Sequence, residues 1–168
     1  MSIDRDVAPP TRPREAIKLT EYECWRLLQS VTLGRVVFTQ HAMPAIRPVN
    51  HLIDGRKIVI RTHNGAAIAS RARADAVGGS SVGNDNGAAS SNGVGRGSVV
   101  AYEADELDPV RHTGWSVIVT GLARLVTDPD ELTHYCDVAE PWIAGEMDQI
   151  VVIEPEFVSG RRLVGWCS

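Results

Sequence analysis

The sequence is short of cysteine, of long apolar runs and of positive charge, and each shortage excludes something. Its three cysteines, Cys24, Cys136 and Cys167, are odd in number and far apart. That pattern excludes a disulfide framework and CxxC metal knuckles, and predicts reduced thiols. No stretch approaches the roughly 18 consecutive apolar residues of a membrane helix. Lys and Arg total 17 against 21 Asp and Glu, for a net charge of −4. That balance lacks the basic excess of a nucleic-acid-binding domain. Residues 1–14 carry Asp, Arg and Pro but no apolar signal core. The expectation is a cytoplasmic protein with neither membrane nor nucleic acid as partner.

What is present suits one globular domain. Of 168 residues, 43% are hydrophobic and 23% charged, enough to fill a core. Residues 1–18 read as a polar arm broken by Pro9, Pro10 and Pro13, with the domain spanning 19–168. Thr20 and Glu23 form a capping box for a helix over 21–29, with Tyr22, Cys24, Trp25 and Leu28 on its buried side. β-rich runs follow at 35–39, 45–53 and 57–62. Asp54-Gly55 marks a hairpin, and Pro48 marks an edge strand or bulge.

Of the 21 residues in 78–98, 15 are Gly, Ser or Asn. This composition predicts a flexible surface insertion. Strands resume at 99–103, followed by a turn-rich stretch over 105–114 and a long run over 115–126. Asp128-Pro129-Asp130-Glu131 opens a helix reaching Val138. A last strand covers 149–153 and extends toward Val158. The fold class is mainly β (α+β), a barrel-like or sandwich domain with a few peripheral helices.

Familiar catalytic motifs are missing. There is no GxxxxGK[ST], and Gly93 to Gly97 fails GxGxxG. No HExxH occurs, and His134 and Cys136 do not share a helix face, so no metal site is expected. Gly114-Trp115-Ser116 is half a nucleophile elbow without its second glycine. No acid or base residue stands out.

Three features do suggest binding. Arg61-Thr62-His63-Asn64-Gly65-Ala66-Ala67 follows a strand and opens a short helix over 66–73, a pattern able to hold a phosphate. The plain alternative is an ordinary strand-to-helix turn with a solvated arginine. In Arg47-Pro48-Val49-Asn50, Asn50 can both donate to and accept from a heterocycle's edge, or simply be a half-exposed strand residue. Trp115 can stack on a flat ring, or pack in the core.

Taken in order, these pieces resemble the pyridoxamine 5'-phosphate oxidase-like family. The resemblance rests on the helix from Thr20 to Leu28, Leu33 to Phe38, Pro44, Arg47 to His51, and Ile60-Arg61-Thr62 with Gly65. Glu103 to Asp108 and Thr113 to Val117 complete it. It covers residues 19–126 and extends toward Arg162. It implies a split β-barrel, a homodimer, and a flavin, usually FMN, near the dimer interface. By position, Arg61, Thr62, Gly65, Ala66 and Ala67 would face the FMN phosphate. Val49 and Asn50 would line the flavin ring, with Trp115 and Ser116 nearby and Arg47 and Pro48 also among the cofactor-binding residues.

Relatives usually place a small polar residue and then lysine where Ala66 and Ala67 stand. The missing lysine removes a charge-assisted contact of about 1.5–3 kcal/mol; Arg71 and Arg73 are the nearest replacements. The implied function is a flavin-dependent oxidoreductase acting on a small-molecule substrate. A deazaflavin-dependent reductase is an alternative. So is a non-catalytic protein holding haem, through a histidine such as His51 or His63, or another small ligand.

Overall fold

A computed structural model describes residues 14–63, 66–70, 72, 97–139 and 147–165. The chain order is β1 (Glu15–Lys18), α1 (Glu21–Ser30), β2 (Leu33–Gln40), β3 (Met43–Asn50), β4 (Leu52–Asp54) and β5 (Lys57–Thr62). Then come β6 (Ser98–Asp108), β7 (Thr113–Leu125), α2 (Pro129–Val138) and β8 (Gln149–Val164). Residues 67–70 form a helical turn after β5. The insertion proposed over 78–98 lies outside the described residues, apart from Gly97 and Ser98, the latter beginning β6.

All paired strands are antiparallel, in the order β3-β2-β6-β7-β8-β5-β4, with β1 added on β8. The two ends of this path, β3 and β4, are separated in sequence by His51 alone. Chain continuity therefore curls the sheet until its ends meet. The result is a barrel with an unpaired seam, the split β-barrel of a mainly β protein.

Two hairpins show opposite turn chemistry. In the β4–β5 turn, Gly55 takes φ 57° and sits first in a two-residue loop closed by Asp54 and Lys57, where glycine is favoured. The β2–β3 turn puts His41 and Ala42 at φ 51° and 61°, left-handed values that cost a non-glycine residue about 1 kcal/mol. Ala42→Gly should therefore stabilise the protein by about 1 kcal/mol, read as a higher urea midpoint at unchanged slope. A lower midpoint would contradict the strain.

Strand alternation builds the main core. Val36, Phe38, Ile58, Ile60, Tyr102, Val117, Val119, Val151 and Ile153 point inward, and α1 closes one end with Cys24, Trp25 and Leu28. A smaller cluster of Val59, Val126, Tyr135, Ile150 and Val152 lies under α2. β5 and the start of β8 are thus buried on both faces, which explains their unbroken apolar runs. Both helices have the caps read from sequence: Thr20 with Glu23 for α1, and Asp128 with Pro129 for α2.

Several boundaries differ from the sequence reading. Residues 15–18, assigned there to the arm, form β1 by pairing with 161–164. Tyr22, placed on the buried side of α1, is 70% exposed. The single run 45–53 is two strands, because His51 leaves the ladder and turns inward. β6 and β8 continue well past 103 and 158, since long antiparallel partners satisfy residues that look turn-like in isolation.

Candidate functional site

The seam between β3 and β4 holds the site. A cleft of about 220 Å³ includes Thr32, Asn50, His51, Arg61, Val138 and Ala139 in its walls. A second, of about 300 Å³, is lined by Val31, Thr32, Leu33, Arg35 and Asp105. The two share Thr32. Register causes this meeting: Leu33 opposes Asn50 across β2–β3, and the His51 N–H donates to Thr32 O at 2.9 Å. The end of β3 is thereby fixed beside the start of β2. Two residue groups singled out in the sequence, Asn50 and Arg61, are brought together here.

His51 forms the floor. Its Nε2 lies 2.9 Å from Leu28 O, and its Nδ1 meets the Tyr102 hydroxyl. A carbonyl can only accept, so Nε2 carries the proton and Nδ1 accepts from Tyr102. With both ring nitrogens occupied and the residue 7% exposed, His51 cannot ligate haem iron; the structure corrects that option. The other candidate, His63, is exposed beyond the end of β5.

Burial pushes the His51 pKa below its ordinary value of 6.5, against a smaller opposing effect of the Leu28 carbonyl. Below about pH 6.5 the unfolded chain takes up a proton that the folded chain refuses, so stability falls with pH there. Above that value neither state is protonated, and the contribution is flat. Thermal melts should show a lower Tm at pH 5.5 than at pH 7.5, with the difference reduced in His51→Gln. An unchanged difference in the variant would assign the effect elsewhere.

Arg61 was expected to face a phosphate. Its Nε instead donates to Met147 O at 2.7 Å, and its Nη1 donates to Cys136 O at 2.6 Å and Ala139 O at 2.9 Å. Three of the five N–H donors of the guanidinium are committed to backbone carbonyls. Thr62 beside it is buried. Gly65 lies outside the described residues, as do Arg71 and Arg73. Ala66 and Ala67 are half-buried against the main core and bring no side-chain donor.

The remaining candidates separate. Arg47 is exposed, with its Nη1 donating to Ile46 O at 2.8 Å, and Pro48 is exposed on the edge strand β3. Val49 packs against the main core. Trp115 is 6% exposed within that core, so its ring is unavailable for stacking on a ligand. Ser116, next along β7, points to the opposite, outward face, because alternate strand residues do.

That outward face carries an apolar row beside a charged patch, where Arg35 pairs with Glu103 at 2.9 Å and Asp105 at 2.6 Å. Ile46, Val37, Ala101, Thr120 and Phe157 form one continuous row across β3, β2, β6, β7 and β8. Phe157 is 70% exposed, Ile46 57% and Ile118, on an adjacent row, 46%. Leu33 and Arg35 of the second cleft lie on the same face of β2. Neither Thr32, the His51–Tyr102 pair nor this face stood out in the sequence. The pair depends on long-range packing, and Thr32 gains meaning only from the seam. Only the alternation of β7 and β8 hinted at the face.

Comparison with known proteins places this geometry. Residues 20–82 and 77–162 match the pyridoxamine 5'-phosphate oxidase family model, and the chain belongs to that family. An uncharacterized protein of Mycobacterium tuberculosis, Rv0080, is 46% identical over 159 residues, covering 94% of this chain and 91% of its own. Among solved structures, an FAD-binding protein from Mycobacterium smegmatis is 32% identical. It has a TM-score of 0.62, over 87% of this chain and 97% of its own. A provisionally named pyridoxamine 5'-phosphate oxidase of Corynebacterium glutamicum is 31% identical, with a TM-score of 0.64, over 88% and 98%. No helix among the described residues is long and apolar enough to cross a membrane.

Proposed function

We propose that this chain is a flavin-dependent oxidoreductase that works as a homodimer, with the flavin ring addressed by the seam clefts. The observation that carries the reading is the junction at Thr32. It joins a cleft containing Asn50 to one lined by Leu33 and the Arg35–Asp105 pair of the outward face, beside its apolar row. Asn50 and Thr32 supply the mixed donor and acceptor character that a flavin ring edge requires. A cleft of about 220 Å³ is shallow for a tricyclic ring on its own. A second copy on the outward face would complete the enclosure.

Family membership and the 32% identity to a protein named for FAD binding support the ring. The tail is a separate matter. FMN and FAD carry the same ring and differ in the tail. When bound, the flavin would supply hydride or electron transfer to a small-molecule substrate. The chain would bind and orient the ring and exclude water from it. The anionic tail fits the structure less well than the ring, because Arg61 is already engaged and Ala66 and Ala67 offer no side-chain donors.

The test is titration of ligand-free protein with FMN, FAD and a deazaflavin, followed by fluorescence. Saturable binding of FMN or FAD, weakened by Asn50→Leu, is the expected result. Binding of the deazaflavin alone would move the protein to the reductase class that uses it. Binding of none of the three would reject the proposal.

A further inference from the structure

We infer that Arg61 is the positioning residue of the cleft, holding its α2 wall in place, and that it does not receive a ligand's anion. The inference rests on hydrogen bonds within the chain and is independent of the flavin reading.

The need arises at the end of α2. A helix leaves its last four carbonyls without intrahelical partners. α2 ends at Val138 and has no basic residue in its last turn. Tyr135 O is satisfied by the Ala139 N–H. Cys136 O receives Nη1 of Arg61 from across the sheet, as does Ala139 O just beyond the helix. Met147 O receives Nε. One guanidinium therefore ties together residues before and after 140–146, and places a cation at the negative end of α2.

Only arginine suits this task. Its planar fork presents Nε–H and Nη–H in fixed directions, whereas lysine offers a single point charge. The same bonds weaken Arg61 as an anion receptor. Three carbonyl oxygens at 2.6–2.9 Å already aim their negative ends at it. Among the described residues its hydrogen-bond partners are carbonyls, and it forms no ion pair with them. Val138 and Ala139, which this clamp positions, face the same cleft as Asn50. Arg61 thereby acts on the cleft through α2.

The experiment compares wild type, Arg61→Met and Arg61→Lys, all without cofactor, by hydrogen exchange and by thermal shift with inorganic phosphate. Exchange in the last turn of α2 should speed up about 10-fold or more in both variants. Exchange in β6 and β7 should stay unchanged, showing that the barrel is folded. Lysine should fail to rescue α2. Any stabilisation by phosphate should be the same in all three proteins.

Unchanged α2 exchange in Arg61→Lys would overturn the clamp. A phosphate response present in wild type and lost in Arg61→Met would overturn the second half, whatever α2 does. If Arg61→Met fails to fold, Arg61→Lys decides both halves: protected α2 contradicts the clamp, and a phosphate response that differs from wild type contradicts the exclusion of anions.

Discussion

Phe157→Asp is expected to give a folded monomer that no longer retains flavin. Phe157 is 70% exposed in the single chain, so the substitution removes little intrachain packing, and the β7–β8 ladder around it is backbone-bonded. The same position ends the apolar row from Ile46 through Val37, Ala101 and Thr120. In a dimer built on this face, a carboxylate there would be desolvated without a partner, at a cost of several kcal/mol. At 1.4 kcal/mol per decade, dimer affinity should fall by about two decades or more. Flavin retention should fall with it if the second copy completes the site. Sedimentation velocity, with flavin absorbance followed in the same cell, reads both effects. A variant that stays dimeric would remove this face from the interface. A monomer that keeps its flavin would confine the site to one chain.

Gly34→Ala should be among the most damaging small substitutions in the molecule. A Cβ at this position would lie 2.0 Å from the Tyr102 hydroxyl oxygen, 2.4 Å from Tyr102 Cζ and 2.6 Å from Glu103 O. The ring cannot yield cheaply, because Tyr102 is fully buried and its hydroxyl holds His51 Nδ1. Nor can the carbonyl, which belongs to the strand paired with β2. Overpacking at about 1–3 kcal/mol adds to a broken buried hydrogen bond at about 1–3 kcal/mol. The expected loss is about 3–5 kcal/mol, or at least about 6 °C in Tm for a chain of this size. Tyr102→Phe removes the hydrogen bond alone and should cost only the smaller share. If Gly34→Ala were no worse than Tyr102→Phe, the tight approach of β2 to Tyr102 would be wrong.

These two cases show what the sequence could and could not reveal. Helix caps are local chemistry, so Thr20 with Glu23 and Asp128 with Pro129 were readable from spacing alone. The Asp54-Gly55 turn, the span of β5 and the edge position signalled by Pro48 were equally local. The lengths of β6 and β8 were not, because a strand continues wherever a partner ladder continues. The internal bonds of Arg61 were hidden for a related reason. Its partners are the backbone carbonyls of Cys136, Ala139 and Met147, and no residue type announces a carbonyl. Trp115 suited a ligand or, as a lone tryptophan more often does, the core, and the direction of β7 places it in the core. At His51, the residue type allowed a haem ligand as one alternative, while the observed role needs Leu28 O and Tyr102 on either side of the ring. The family resemblance supplied the barrel and the residues from which the proposed site is argued. It could not supply the internal bonds that decide which of those residues remain available.

The account's central claim, a flavin held with two copies of the chain, is tested most directly by native mass spectrometry of the protein incubated with FMN and with FAD. The account predicts a species of two chains carrying two flavins, with single chains carrying none. A single chain saturated with flavin, or a dimer that takes up neither compound, would contradict it.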